Sequence, residues 1–246
     1  MNHGFSTINE NKLHSSLKAY YAIQNQGNTE VFSEGFIYDI IAQNGEIIEI
    51  QTKNLSKLLN KIDDALKKNK KIKVVHPIIL QNTIITTDKN GKMISKRKSP
   101  KKGNLYESLR ELTGIYPILL NKNFTLELVY VNTIEHRVRT EDEVQSENKR
   151  RRHLKNWIKV NKELEEILYS KSLKNKNDYL DLLPKELNSV FTCNEVKEGL
   201  KNEFKLPLSS QNKANLLLWL LKKMDLIEIK EKKGRAYLYK IKDKIQ

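Results

Sequence analysis

Phe36-Ile37-Tyr38-Asp39-Ile40-Ile41-Ala42-Gln43-Asn44-Gly45-Glu46-Ile47-Ile48-Glu49-Ile50-Gln51-Thr52-Lys53 is the stretch on which the reading of this chain turns. Two runs rich in β-branched and aromatic residues, Phe36 to Ile41 and Glu46 to Thr52, flank the turn formers Asn44-Gly45, which predicts adjacent strands. Within these runs Asp39 and Glu49 are the acids flanked on both sides by apolar residues. A carboxylate there is costly without a cation, so the pair points either to a metal site or to a buried salt bridge.

Working outward, Leu13, Leu17, Tyr20 and Tyr21 recur at helical spacing within residues 10 to 23, and a further strand-like run, Thr29 to Phe32, precedes the turn Ser33-Glu34-Gly35. On the other side Leu55, Leu58, Leu59, Ile62 and Leu66 predict a second helix, and Lys71 to Pro77 a strand. The order is αβββαβ. Beyond it, Asn82 to Ser95 reads as a hairpin around Asp88-Lys89-Asn90-Gly91, followed by a basic loop from Lys96 to Gly103 and a helix from Asn104 to Leu112. Thr125 to Val138 reads as a strand, 139 to 153 as a polar loop ending in Lys149-Arg150-Arg151-Arg152-His153, and Leu154 to Ile167 as a helix.

The central hairpin resembles that of the PD-(D/E)XK nuclease superfamily, whose αβββαβ core carries an Asp on the second strand and an acid, any residue, then Lys on the third. The resemblance implies an α/β, restriction-endonuclease-like core in which Asp39, Glu49 and the Ile50 carbonyl hold Mg²⁺ or Mn²⁺. Such an ion activates water and offsets charge developing on a phosphate. Gln51 stands where the lysine is usual, and we expect it, rather than Lys53, to serve the site. Glu10 resembles the extra helical acid of many members; a helix-start Glu meeting the macrodipole is the other reading. The motif also requires Asp39 and Glu49 to lie opposite each other. That calls for a three-residue Gln43-Asn44-Gly45 loop with Gly45 left-handed, because a two-residue turn would oppose Asp39 to Ile50. Residues 10 to 138 are also similar to a group of prokaryotic proteins with Glu-Ile-Gln-Thr strands and an Arg-Lys-Ser-Pro-Lys segment, here Arg97 to Lys101. Lys96, Arg97, Lys98, Lys101 and Lys102 either bind phosphates or form a solvated loop.

The last third predicts three helices and a hairpin: Leu180 to Leu187, a helix capped by Thr192 with Glu195, a third from Ser209 or Ser210 to Met224, then Ile227 to Glu231 and Ala236 to Ile241 around Gly234-Arg235. This resembles the winged helix-turn-helix family, which implies a third helix reading the major groove through Gln211, Asn212, Lys213 and Asn215 and a wing contacting DNA through Lys232, Lys233 and Arg235. Use of the same fold for protein contact stays open. The expected division is a nuclease-like domain over 1–140, a basic polar loop and linker helix over 141–177, and a winged-helix domain over 178–246.

Composition sets the outer bounds. Forty-five Lys and Arg against thirty Asp and Glu give a formal charge of +15, which attracts polyanions, although the lysine-rich surface that an AT-rich genome encodes would show the same excess. Cys193 is the only cysteine in the sequence, so no intramolecular disulfide forms and a reducing compartment fits. The longest apolar run, Leu216 to Leu221, is too short to span a bilayer, and the opening residues carry no signal-peptide pattern, so a cytoplasmic location is expected. Five histidines without ligand spacing and no phosphate-binding glycine loop argue against kinase, ATPase and zinc-hydrolase chemistry. The expectation is a metal-dependent DNA endonuclease, with a catalytically inactive DNA-binding or regulatory relative of such an enzyme as the alternative. DNA is the expected partner, no membrane is, and a homodimer is left open.

Overall fold

A computed structural model of the protein describes residues 12–146, 149, 151–204 and 211–242. It is a mixed α/β fold with a large sheet of parallel and antiparallel pairs, a small three-stranded sheet and several helices. The chain gathers into two units, one from the described residues of Met1–Asn44, Pro77–Asn104 and Val129–Ser170, the other from those of Gly45–His76, Leu105–Leu128 and Lys171–Gln246. Strands β4, β6 and β7, defined below, each run from one unit into the other.

In the first unit, helix α1 (Lys12–Gln24) buries Leu13, Leu17 and Tyr21 and packs on the hairpin of β1 (Asn28–Ser33) and β2 (Phe36–Ile41). Ser33 pairs with Phe36 across a two-residue turn. Glu34 and Gly35 there have φ of 53° and 91°, the positive values that a hairpin turn matching strand twist requires. The distal half of β4 (Ile72–Thr87) pairs antiparallel with β5 (Met93–Lys98), where Asp88 closes the turn by accepting from the Asn90 and Lys92 amides. On its other side lie β6 (Phe124–Val144) and then β7 (Lys155–Leu173).

Here the structure corrects three expectations. Lys71–Pro77 and Asn82–Thr87 are one strand, β4. Pro77 is tolerated because it falls between the β3 pairing, which ends at Val75, and the β5 pairing, which starts at Thr83, so no ladder bond on that edge is lost. Lys96, Arg97 and Lys98 belong to strand β5 and not to a loop. Finally, 139–153 and the expected linker helix are the ends of β6, a connection and β7. Cross-strand contacts override the helix-forming run Lys162-Glu163-Leu164-Glu165-Glu166: His136 meets Glu163 at 2.5 Å, Asn132 donates to Glu166 at 3.0 Å, and Tyr130 stacks on Tyr169 with centroids 4.3 Å apart.

In the second unit, β3 (Ile47–Ile50) runs parallel to β4, in register from Ile47 with Ile72 to Ile50 with Val75. The crossover that a parallel pair needs is a 3-10 turn, Leu55–Leu58, and helix α2 (Leu59–Lys67), which bury Leu55, Ile62 and Ala65. Ile47, Ile48 and Ile50 are at most 1% exposed, and each such side chain stabilises the fold by roughly 1.5–3 kcal/mol. The strand is shorter than the expected Glu46–Thr52, and the turn between β2 and β3 falls on residues 43–45. Gly45 does adopt positive φ, at 80°. Residues 104–118 form two 3-10 turns, Leu105–Glu107 and Tyr116–Ile118, around a short helix α3 (Leu109–Leu112), not one helix.

The end of the chain, within the same unit, runs α4 (Lys176–Leu180), β8 (Val190–Thr192), α5 (Cys193–Phe204), α6 (Gln211–Lys223), β9 (Ile227–Lys233) and β10 (Ala236–Ile241), with strand order β8-β10-β9. The first helix is shorter and earlier than expected because Asn175 caps it in a reciprocal box with Asp178. Thr192 and Glu195 form the expected capping box at the start of α5. Ala214, Leu217, Leu218 and Leu221 of α6 are buried; its proposed caps, Ser209 and Ser210, lie outside the described residues. Among the described residues no helix is long and apolar enough to cross a membrane.

Candidate functional site

The two motif acids fall in different units, so each is described in its own surroundings. In the first unit, β2 alternation buries Tyr38 and Ile40 and turns Asp39 to the opposite side. Its carboxylate lies 3.3 Å from Nε2 of His14 on α1, with both side chains about four-fifths buried. Glu10 lies outside the described residues. The basic residues of this unit are on its surface: Lys96, Arg97 and Lys98 along β5, and Lys101 and Lys102 beyond it, are all exposed. The segment after β5 is anchored, not loose. The Gly103 amide donates to the Ile79 carbonyl at 2.8 Å, and a Cβ at Gly103 would come within 2.5 Å of that oxygen, so only glycine permits the approach.

In the second unit, Glu49 sits in the middle of a fully buried strand, its side chain 3% exposed. Lys61 on α2 brings its ammonium to 2.6 Å, with 15% of its own side chain exposed. The sequence left a cation or a salt bridge as the ways to make such a carboxylate tolerable, and in this structure Lys61 supplies a counter-charge. No single-sequence signal pointed to Lys61, one of several lysines on an amphipathic helix, because the pairing depends on how α2 returns over β3.

Gln51 lies one residue past the strand. Its amide N–H still bonds the Val75 carbonyl at 2.9 Å, while its side-chain amide donates to the Asn54 carbonyl at 3.1 Å, bracing a turn in which Asn54 has φ 55°. The Gln51 carbonyl is 2.7 Å from Nδ1 of His76; a carbonyl only accepts, so Nδ1 carries the proton. His76, expected at a strand end, lies inside β4 and is buried. Burial pushes its pKa below the ordinary value, against the smaller opposing effects of the Gln51 bond and of Glu111. Glu111 also accepts from the Leu55 amide at 3.0 Å. Lys53 is exposed beyond the strand.

Among the described residues no group of three or more His, Cys, Asp or Glu is placed to hold a metal ion. A hard cation at Glu49 would need oxygen ligands beyond this one carboxylate.

The C-terminal module places its candidate DNA residues unequally. Lys213 of α6 pairs with Glu107 at 2.8 Å and keeps 12% of its side chain exposed. Asn215 accepts from the Cys193 thiol at 2.9 Å, and Asn212 is exposed; the side chain of Gln211 lies outside the description. Trp219 meets Tyr116 edge to face at 5.5 Å. Lys232, Lys233 and Arg235 are exposed at the tip of the β9–β10 hairpin.

The family described as "Domain of unknown function (DUF8091)" matches residues 11–174. An "Uncharacterized protein" of Treponema pallidum (strain Nichols) is 27% identical over 193 residues, covering 78% of this chain and 73% of that one. No solved structure matches.

Proposed function

The chain belongs to the DUF8091 family, and from that premise, which carries no chemistry of its own, we propose that it is a metal-dependent DNA endonuclease with a winged-helix DNA-binding module. The observation that carries the reading is Glu49: an acid buried in β3, in a parallel β3–β4 pair crossed by α2, with an ammonium beside it. The order α1-β1-β2-β3-α2-β4 is the one the nuclease resemblance calls for. Likewise, the order α4-β8-α5-α6-β9-β10 with strands arranged β8-β10-β9 fits the winged-helix resemblance.

In this reading Glu49 and the Ile50 carbonyl are the second unit's metal ligands, and Asp39 is the acid of the first. A bound Mg²⁺ supplies an activated water and charge neutralisation at phosphate. The protein's own contribution is to set an ammonium beside Glu49 through Lys61 and to brace the strand end through Gln51 and His76. Gln51 has its side-chain N–H committed to Asn54.

The test is cleavage of plasmid, single-stranded and branched DNA by the full chain with Mg²⁺ or Mn²⁺. Asp39→Asn and Glu49→Gln should each lower the rate by at least about a hundredfold. A wild type no more active than the double variant on every substrate overturns the enzyme. The second reading, a DNA-binding protein without catalysis, is favoured by Gln51 in place of lysine and by the Glu49–Lys61 pair; duplex binding without cleavage would establish it.

A further inference from the structure

Helix α6 has the position in the chain order from which a winged helix reads DNA, yet its surroundings do not suit that task. It packs against the 3-10 turns and short helix of residues 105–118. Lys213, the cation of its first turns, is engaged by Glu107, whose carboxylate is itself half-exposed at that end of the helix. A phosphate approaching there would meet a negative charge, and capturing Lys213 would mean drawing a largely buried ammonium away from its carboxylate partner. Trp219, two turns along, is held by Tyr116.

The β9–β10 hairpin is the reverse case. From Ile227 to Ile241 it carries Lys230, Lys232, Lys233, Arg235 and Lys240 against Glu228 and Glu231. Gly234, at φ 59°, closes a two-residue turn between the paired Lys233 and Ala236, so the cations at the tip are presented by a defined hairpin. Lys230, Lys232, Lys233 and Arg235 are exposed and, among the described residues, have no carboxylate partner. Lys232 opposes Tyr237, with its ammonium 5.7 Å from the ring centroid, and Tyr237 is 45% exposed. Exposed cations without carboxylate partners, presented on a protruding hairpin, suit the phosphate backbone of a nucleic acid.

We infer that the C-terminal module binds duplex DNA through the β9–β10 hairpin, by phosphate contacts from Lys232, Lys233 and Arg235, and that α6 is an internal docking helix and not the reading helix. This rests on the DNA-binding part of the proposed function and is independent of cleavage. A consequence is that binding by this module has little sequence preference, because phosphates and not base edges are contacted.

The experiment is duplex binding by fluorescence anisotropy with the full chain in EDTA, so that catalysis plays no part, across a salt series. Vesicles of phosphatidylserine and phosphatidylcholine are titrated in parallel. The charge reversal Lys232→Glu, Lys233→Glu, Arg235→Glu should weaken duplex binding more than about tenfold and flatten the log–log salt slope by about 2 to 3, while Asn212→Ala changes affinity by less than about twofold. All four positions are exposed, and circular dichroism checks that the fold survives. A large loss with Asn212→Ala and little with the reversal overturns the inference in favour of α6. Loss of vesicle binding with unchanged duplex binding overturns it in favour of a membrane surface. No duplex binding by the wild type removes the DNA reading itself, whereas failure to cleave with normal binding removes only the nuclease.

Discussion

Glu49 and Lys61 show how much one buried contact can decide. With the carboxylate 3% exposed and an ammonium 2.6 Å away, removing that cation takes a counter-charge away from a dry carboxylate. Lys61→Met should therefore cost about 3 kcal/mol in urea denaturation, and adding Glu49→Gln should recover much of it. A Lys61→Met protein as stable as the wild type would show that Glu49 does not depend on this partner. His76 makes a second test through pH. Burial holds its folded pKa below the ordinary 6.5, so the unfolded chain takes up a proton before the folded one does. Stability is then full above the unfolded value and declines as pH falls below it. The urea midpoint should drop between about pH 7.5 and about pH 5.5, and His76→Gln, which keeps an N–H for the Gln51 carbonyl, should reduce that drop. An equal drop in both proteins would assign the pH dependence elsewhere.

Among the elements, those with local signals were legible from the chain alone. Thr192 and Glu195 cap α5 because their side chains satisfy amides within three residues, and no distant partner is needed. Thr192→Ala should accordingly cost about 1 kcal/mol in thermal or urea unfolding; no measurable loss would make the cap incidental. The β1–β2 turn and the tip of β9–β10 were legible for the same reason, since glycine at positive φ is a local requirement. Strand β7 was not. Its Lys162-to-Glu166 run has the composition of a helix, and only β6 beside it makes the extended form better, through Tyr130, Asn132 and His136 from that neighbour. Trp157, flanked by the guanidinium groups of Arg137 and Arg151 at 3.6 and 4.0 Å from its ring centroid, belongs to the same set of contacts.

Over the whole molecule, each unit is assembled from three separate stretches of chain, and the first needs residues as far as Ser170. The boundary near residue 140 expected from composition cuts β6 before its end and removes β7. A fragment of residues 1–140 should show no cooperative thermal transition by circular dichroism, whereas the full chain should; a sharp transition in the fragment would restore the simple division. The chain by itself determined whatever is written in short-range terms: the α/β class, the αβββαβ order, the Thr192–Glu195 capping box, the glycine turns and the exposed basic stretches. Tertiary structure alone decided that Lys61 neutralises Glu49, that His14 meets Asp39, that Glu107 occupies Lys213 and that a helix-forming run becomes strand β7. The physical reason is that these outcomes depend on partners distant in sequence, whose approach is set by burial of apolar faces on other elements, and a local pattern carries no record of which charge or strand that burial will bring alongside.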